Sequence, residues 1–378
     1  VTPVGDGPPL QITDDATAPP EGEGLSYHRV AWSPGGALAF AAVERAGSRA
    51  RSRLYVVDAP GQPRRQVAQD SEHFFIYLTW SPAAGAGQVL CHAGHDCRTL
   101  AYLIEGEDGV GLHLVELAGE TSAGRPLVTG RPFYLSWAPD GRQIAFHAGA
   151  RLGSYDLGRG ERRFAPSRPG AFLAPAWSPD GGRWLGVVQR EGREELRRFA
   201  GTRSELLLSV PDPSAEIAFS WSPDGTWVAY ALRERPGDPF YGPVHLLDPD
   251  SGASEALTPA AFRPLAFFWS PDGRRLAYLS WLDLPGSLWA QWRVVDLVSG
   301  EDRGYAAFQP TPLMQFALHS FGQYAQSHRF WSPDGRYLVY AARDRTLVDR
   351  IWLVDTYAAR GAEPVPVAGG AIAYWSWH

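Results

Sequence analysis

Tryptophan followed by Ser or Ala and then Pro recurs at Trp32, Trp80, Trp137, Trp177, Trp221, Trp269 and Trp331, and a last Trp375-Ser376 stands without the proline. The steps between these positions are 48, 57, 40, 44, 48, 62 and 44 residues. A period of about 40 to 50 residues fits one four-stranded sheet, the blade of a β-propeller. A unit of this size cannot bury its apolar faces alone. The 378 residues therefore read as one repetitive domain and not as two ordinary ones.

The unit is clearest around Trp221. Ile217-Ala218-Phe219-Ser220-Trp221 is an apolar run, and Ser222-Pro223-Asp224-Gly225 reverses the chain. Proline presets φ at the second turn position, Asp suits the third, and Gly supplies a positive φ at the fourth. Trp227-Val228-Ala229-Tyr230 returns as a second strand. Val244-His245-Leu246-Leu247-Asp248 makes a third, and Glu255-Ala256-Leu257-Thr258 a fourth. The order repeats from Leu38-Ala39-Phe40 to Leu54-Tyr55-Val56-Val57-Asp58, from Leu276-Ala277-Tyr278 to Trp292-Arg293-Val294-Val295-Asp296, and from Leu338-Val339-Tyr340 to Ile351-Trp352-Leu353-Val354-Asp355. Inner strands of this kind are apolar on both faces because both pack on neighbouring sheets.

These residues resemble the TolB-like propeller family, whose repeat is a Trp-Ser-Pro-Asp-Gly turn between two strands. Trp177, Trp221, Trp269 and Trp331 carry the full turn; Trp137 has Ala138 for Ser, and Trp32 has Gly35 where Asp is expected. Trp80 departs most, with Ser81-Pro82-Ala83-Ala84-Gly85. The resemblance spans nearly the whole chain. It implies an all-β propeller of four-stranded antiparallel blades and a protein partner in a cell-envelope or extracellular assembly. Propellers host many functions, so no activity follows from the repeat.

The ends bear on the blade count. Residues 1–4, then Gly5-Asp6-Gly7, then Pro9-Leu10-Gln11-Ile12-Thr13 read as a third strand, a turn and a fourth strand; Ala371-Ile372-Ala373-Tyr374-Trp375 reads as a first strand. The expectation is a single domain over 1–378 with eight blades, the closing one formed by 1–13 and 371–378. Its second strand would lie upstream of Val1. Seven blades with two loose ends is the alternative.

Insertions show which face of such a frame is used, since function concentrates on loops carried by rigid sheets. The 62-residue step arises from the segment 309–329, and long second-to-third loops are expected at 281–289 and 236–242. Together they supply Phe240, Tyr241, Trp281, Trp289, Phe316, His319, Phe321 and Tyr324, the expected contact surface. The competing reading folds these rings back over the channel mouth, because long ordered loops carry some core of their own. Paired charges such as Arg193-Glu194-Glu195 read as solvated outer edges.

The 57-residue step has another origin. A second strand at Leu100-Ala101-Tyr102 puts the third at Leu112-His113-Leu114, which leaves 83–99 as an insertion containing Cys91-His92-Ala93-Gly94-His95-Asp96-Cys97. A metal site and a disulfide-closed loop both remain open. The Cys91–Cys97 disulfide is favoured, because cysteines at this spacing match no usual zinc or haem pattern. A disulfide implies an oxidising compartment and so an extracytoplasmic location: periplasmic, cell-surface or secreted. The polar start Val1-Thr2-Pro3-Val4 is no signal peptide, and one removed on export is compatible with it.

Composition narrows the partners. The net charge of −6 comes with no basic block, which argues against nucleic acid. No apolar run approaches the ~20 residues of a membrane helix. All 35 basic Lys+Arg positions are Arg, and Asn is absent, so there is no N-glycosylation acceptor. Codon bias and avoidance of thermolabile Asn in a heat-loving source account for this equally well.

Catalytic motifs are missing. The sequence has no Gly-x-Ser-x-Gly elbow, no His-Glu-x-x-His, no phosphate-binding loop and no dinucleotide fingerprint; Gly109-x-Gly111 lacks the third glycine. No catalytic residue and no cofactor are expected. One metal option survives. Gln323-x-x-Gln326-x-His328 is similar to the way oligogalacturonate lyases, also propellers, place a glutamine and histidines around a metal. Gln326 stands where that pattern wants a histidine, and His28 precedes Trp32 at the equivalent place. The candidate set is then His28, Gln323, Gln326 and His328. The sequence thus favours a non-catalytic extracytoplasmic scaffold for protein–protein interaction. A polysaccharide lyase or hydrolase and a glycan-binding module are the alternatives.

Overall fold

The computed structural model describes residues 1, 9–17, 23–82, 99–117, 125–201, 203–210, 216–233, 238, 240–282 and 289–377. The chain forms two compact units, 1–164 with 376–378, and 165–375. Both are built of antiparallel sheets whose strands follow one another in chain order.

The first unit holds three four-stranded sheets. They comprise Gly24–Trp32, Leu38–Ala46, Arg49–Val57 and Arg65–Asp70; Phe75–Trp80, Thr99–Gly106, Gly109–Glu116 and Val128–Gly130; and Phe133–Trp137, Gln143–Ala148, Arg151–Asp156 and Glu161–Phe164. Second strands are the buried ones: the first six residues of Leu38–Ala46 are all buried. Trp80 pairs with Leu100 and Ala101 with Leu114, the register expected from the sequence. The insertion with Cys91 and Cys97 lies outside the described residues, as do residues 2–8 of the expected closing blade. Val1 and Leu10 exchange two backbone hydrogen bonds of 2.8 Å. In the same unit the Trp377 indole donates to the Trp32 carbonyl at 3.0 Å.

The second unit repeats the pattern with two irregularities. Its first sheet has Trp184–Arg190, Arg193–Ala200 and Arg203–Val210, but the leading strand is broken into Arg168–Pro169 and Ala176–Trp177. A regular sheet follows, with Glu216–Trp221, Val228–Arg233, His245–Leu247 and Ser254–Ala256. The last sheet has seven strands: Pro264–Trp269, Arg275–Leu282, Trp289–Asp296, Asp302–Pro310, Tyr337–Arg343, Asp349–Asp355 and Val365–Gly369. It fuses two repeats, because Gln309 and Pro310 run on to pair with Arg343 and Ala342 of the next one. That repeat's own leading strand shrinks to the single bridge Trp331↔Leu338.

The tryptophan turns explain why the sequence repeats. Ser222 Oγ, fully buried, accepts the Trp227 amide at 2.9 Å and donates to Asp224 Oδ1 at 2.6 Å. Asp224 Oδ1 accepts the Thr226 amide at 3.1 Å, and the Gly225 amide closes the turn on the Ser222 carbonyl at 2.9 Å with φ +75°. The hydroxyl and the carboxylate thus satisfy backbone donors that the hairpin leaves unpaired. Ser178/Asp180, Ser270/Asp272 and Ser332/Asp334 repeat this network. At Trp32, where Gly35 replaces the aspartate, the loop is one residue tighter: Ser33 Oγ takes the Ala37 amide at 2.8 Å.

The tryptophans link one repeat to the one before. Three indoles donate to the carbonyl just ahead of the preceding tryptophan: Trp80 to Ala31 at 3.0 Å, Trp269 to Ser220 at 3.3 Å and Trp331 to Phe268 at 3.1 Å. In these three the ring fills the inter-sheet space while its one polar atom finds a partner; the buried indole N–H groups of Trp137 and Trp221 find none among the described residues. Spacing in sequence therefore reports packing between sheets.

Candidate binding face

The 309–329 insertion is not an extended loop. It folds into two short helices, α1 (Pro312–His319) and α2 (Phe321–Tyr324). Thr311 caps α1, its hydroxyl accepting the Met314 amide at 3.3 Å, and Pro312 occupies the first turn, where no backbone donor is lost. The sequence reading missed these helices, although Thr311-Pro312 is a helix-start signal. Met314, Ala317 and Leu318 are fully buried. The opposite side of α1 presents Leu313, 43% exposed, Phe316, 50% exposed, and His319 to solvent. An apolar outer face on so short a helix contributes nothing to burial and stands out as a contact surface.

The helices rest on the leading strands of the second unit. Phe321 is buried, with its ring 5.0 Å from Phe267, 5.9 Å from Tyr241 and 6.1 Å from Phe268. Tyr324 is buried too, edge-on to Phe316 at 6.2 Å. Of the eight residues expected to form a contact surface, Tyr241, Phe321 and Tyr324 thus belong to the core. Burial of each ring contributes about 2–3 kcal/mol by area, so these three hold the insertion down instead of meeting a partner.

The remaining residues divide further. Trp281 and Trp289 are not loop residues but the last residue but one of Arg275–Leu282 and the first residue of Trp289–Asp296, in the pairs Trp281↔Ala290 and Leu282↔Trp289. Side chains directly opposite one another share a face and successive ones alternate, so the two tryptophans stand on opposite faces of the sheet. Only Trp281 joins Phe240, at 5.3 Å between rings. Arg263 lies over Phe240 at 5.4 Å and pairs with Asp238. Tyr241, next to Phe240, touches Phe321 beneath α1. The half-exposed Phe240–Trp281 pair is thereby tied through the core to the helices that carry Phe316.

The metal candidates have other roles. Gln326 spends its amide N–H groups on the Pro175 carbonyl at 2.8 Å and the Gly322 carbonyl at 2.9 Å. This pins the insertion to the break in the first sheet of the unit. His328 is buried, its Nδ1 2.6 Å from Ser327 Oγ and its ring between Tyr324 at 4.8 Å and Tyr374 at 4.3 Å. Gln323 is buried as well. His28, in the first unit, sits at a bulge beside Arg29, whose φ is +57°. Burial, with Arg29 and Arg45 nearby, lowers its pKa to about 4. Among the described residues no three His, Cys, Asp or Glu side chains come within reach of one ion. The donors present do not fit the metal that the lyase resemblance implies.

A cavity of about 270 Å³ adjoins this region, walled by Trp221, Trp269, Trp331, Phe268, His328 and Arg329. Dehydration lowers the Arg329 pKa. One charge assignment from the sequence also changes. Glu194 is buried, not solvated, and accepts the Ala171 amide at 2.9 Å where the leading strand breaks; burial pushes its pKa up.

No protein-family model matches the chain. Among solved structures, dipeptidyl peptidase 4 from Porphyromonas gingivalis aligns with a TM-score of 0.55 and 10% identity over 89% of this chain and 52% of that one. The chain thus spans about half of the peptidase. An oligogalacturonate lyase in complex with manganese aligns with a TM-score of 0.52 and 14% identity over 92% of this chain and 86% of that one. TolB from Acinetobacter baumannii aligns with a TM-score of 0.45 and 18% identity over 85% of this chain and 79% of that one. At these identities the first two likenesses concern fold alone. The chain is an all-β protein of repeated four-stranded antiparallel sheets, consistent with a β-propeller.

Proposed function

We propose that the protein is a non-catalytic, extracytoplasmic β-propeller scaffold that binds a protein partner through the second unit. The observation that supports this most is the outer face of α1, where Leu313 and Phe316 stay in solvent while the rest of the helix is clamped to the sheets. The contact surface is Phe316, His319 and Leu313, extended by Phe240 and Trp281, with Trp289 on the far face of its hairpin. A rigid base under exposed rings avoids the entropy cost of ordering a loop on binding. The partner belongs to a cell-envelope or extracellular assembly. Eight blades, with residues 1–13 and 371–378 sharing the closing one, complete the reading.

The test is capture of partners from the source by the intact chain and by Phe316→Asp and Trp281→Ala variants with unchanged melting temperatures. The reading expects one stoichiometric protein partner retained by the wild type and lost with Phe316→Asp. Equal capture by both proteins sinks it.

A further inference from the structure

A second cavity, of about 360 Å³, lies in the first unit and is lined by none of the contact-surface residues. It falls at the small end of ligand-site volumes, roughly 300–1,000 Å³. Its base is the Tyr102 ring, edge-on to Phe75 at 5.3 Å and stacked on His113 at 5.2 Å. Among the described residues four carboxylates reach its wall, Asp70, Glu105, Glu107 and Asp108, and no arginine does. Glu105 is paired with Arg131, and Asp70 holds the His73 ring and amide. Glu107 and Asp108, at a hairpin tip, make no ion pair among the described residues. Gly106, Gly109 and Gly111 line the cavity without side chains, and a Cβ on Gly111 would stand 3.0 Å from both His113 Nε2 and the Pro126 ring.

Tyr102 adds an observation independent of the acidic rim. It is 2% exposed, yet its hydroxyl makes no hydrogen bond among the described residues. The side chain is buried while its unpartnered oxygen is not sealed from solvent, so the hydroxyl opens into the cavity and marks a place where a ligand atom can replace water. Burial, with Asp70 nearby, pushes its pKa up to about 12, which keeps the phenol un-ionised. The neutral hydroxyl can turn its proton towards a neighbouring carboxylate and keep its lone pairs as acceptors, and the carboxylates around it accept too. The complement is a donor-only group with positive charge that also suits an aromatic wall.

We infer that this cavity binds an organic cation, an ammonium or guanidinium group on a short aliphatic stem, with Tyr102 Oη and Asp70 receiving its N–H donors. The rim pair Glu107 and Asp108 draws it in. The cation comes either from a free amine or from an arginine side chain of a peptide. The site does not depend on the reading of the second unit.

Calorimetric titration of the full chain at low salt decides it, with agmatine, with an arginine-containing tripeptide blocked at both ends, and with n-butanol as the uncharged control. Saturable agmatine binding assigns a free amine, and binding of the peptide alone assigns the side chain. In either case Tyr102→Phe, which removes one oxygen and leaves the melt unchanged, is expected to weaken binding about tenfold or more. Glu107→Gln with Asp108→Asn is expected to weaken it about two- to fivefold, an effect that salt removes. Failure of both cations to bind, equal binding of butanol, or indifference to Tyr102→Phe overturns the inference.

Discussion

Removing one hydroxyl from a tryptophan turn tests the physical basis of the repeat. In Ser222→Ala the Trp227 amide loses its 2.9 Å acceptor and Asp224 loses its 2.6 Å donor. Ser222 is 0% exposed, so water does not replace the missing oxygen. An unsatisfied buried amide costs about 1–3 kcal/mol, and a lost hydrogen bond to a carboxylate adds about 1–2 kcal/mol. The expected loss is about 2–5 kcal/mol, a fall of about 1 M in the urea midpoint at unchanged slope. The reverse experiment is built into the chain. Ala138 already stands at the serine position of the Trp137 turn, 1% exposed, with the Asp140 carboxylate accepting the Arg142 amide at 2.9 Å. Ala138→Ser supplies the missing oxygen and is expected to stabilise by about 1 kcal/mol. The assay is urea unfolding followed by tryptophan fluorescence, with hydrogen exchange at residues 222–228 as the local readout. If Ser222→Ala leaves the midpoint within about 0.2 M of wild type, the account of the turn is refuted.

Three further outcomes follow from the structure. The hydroxyl and backbone hydrogen bonds at Asp180 and Asp334 hold their carboxyls below the ordinary value of 3.8, and at Asp224 and Asp272 they outweigh burial to the same end. Depressed carboxyls stabilise the fold fully above their unfolded pKa and lose that contribution as pH falls through the folded values. The urea midpoint should therefore hold down to about pH 4 and drop below it; a drop centred near pH 6 would point to histidines instead. Arg275, 6% exposed, donates to Thr356 Oγ1, the Gly335 carbonyl and the Tyr357 hydroxyl, and its guanidinium lies over Trp331. Arg275→Ala should cost about 2–4 kcal/mol, read as a lower melting temperature than Arg274→Ala gives. Phe321→Ala should cost about 3–5 kcal/mol by emptying the core under α1, whereas Phe316→Asp should leave the melt within about 1 °C.

Local chemistry was legible in the sequence where one segment decides it alone. The turn at Ser222–Gly225 and the strands on either side of it follow from proline, aspartate and glycine at fixed offsets, and so does the register of Leu100 against Trp80 across an insertion. What the sequence hid depends on partners distant in the chain. Gln326 reads as a ligand candidate until the Pro175 carbonyl, 151 residues away, takes its amide. Phe321 and Phe316 are equivalent in composition and only the placement of Phe267 and Tyr241 makes one core and the other surface. Trp281 and Trp289 look like a pair until their register puts them on opposite faces. Glu194 sits among charged neighbours, and only the broken leading strand explains its burial.

Hydroxyl-radical footprinting of the chain alone and with its captured partner tests the central claim most directly. The account predicts that oxidation of Leu313, Phe316, Phe240 and Trp281 falls on binding while Phe164 and Leu206, exposed elsewhere, keep their reactivity. Protection at Phe164 or Leu206 with Phe316 still fully oxidised would contradict it.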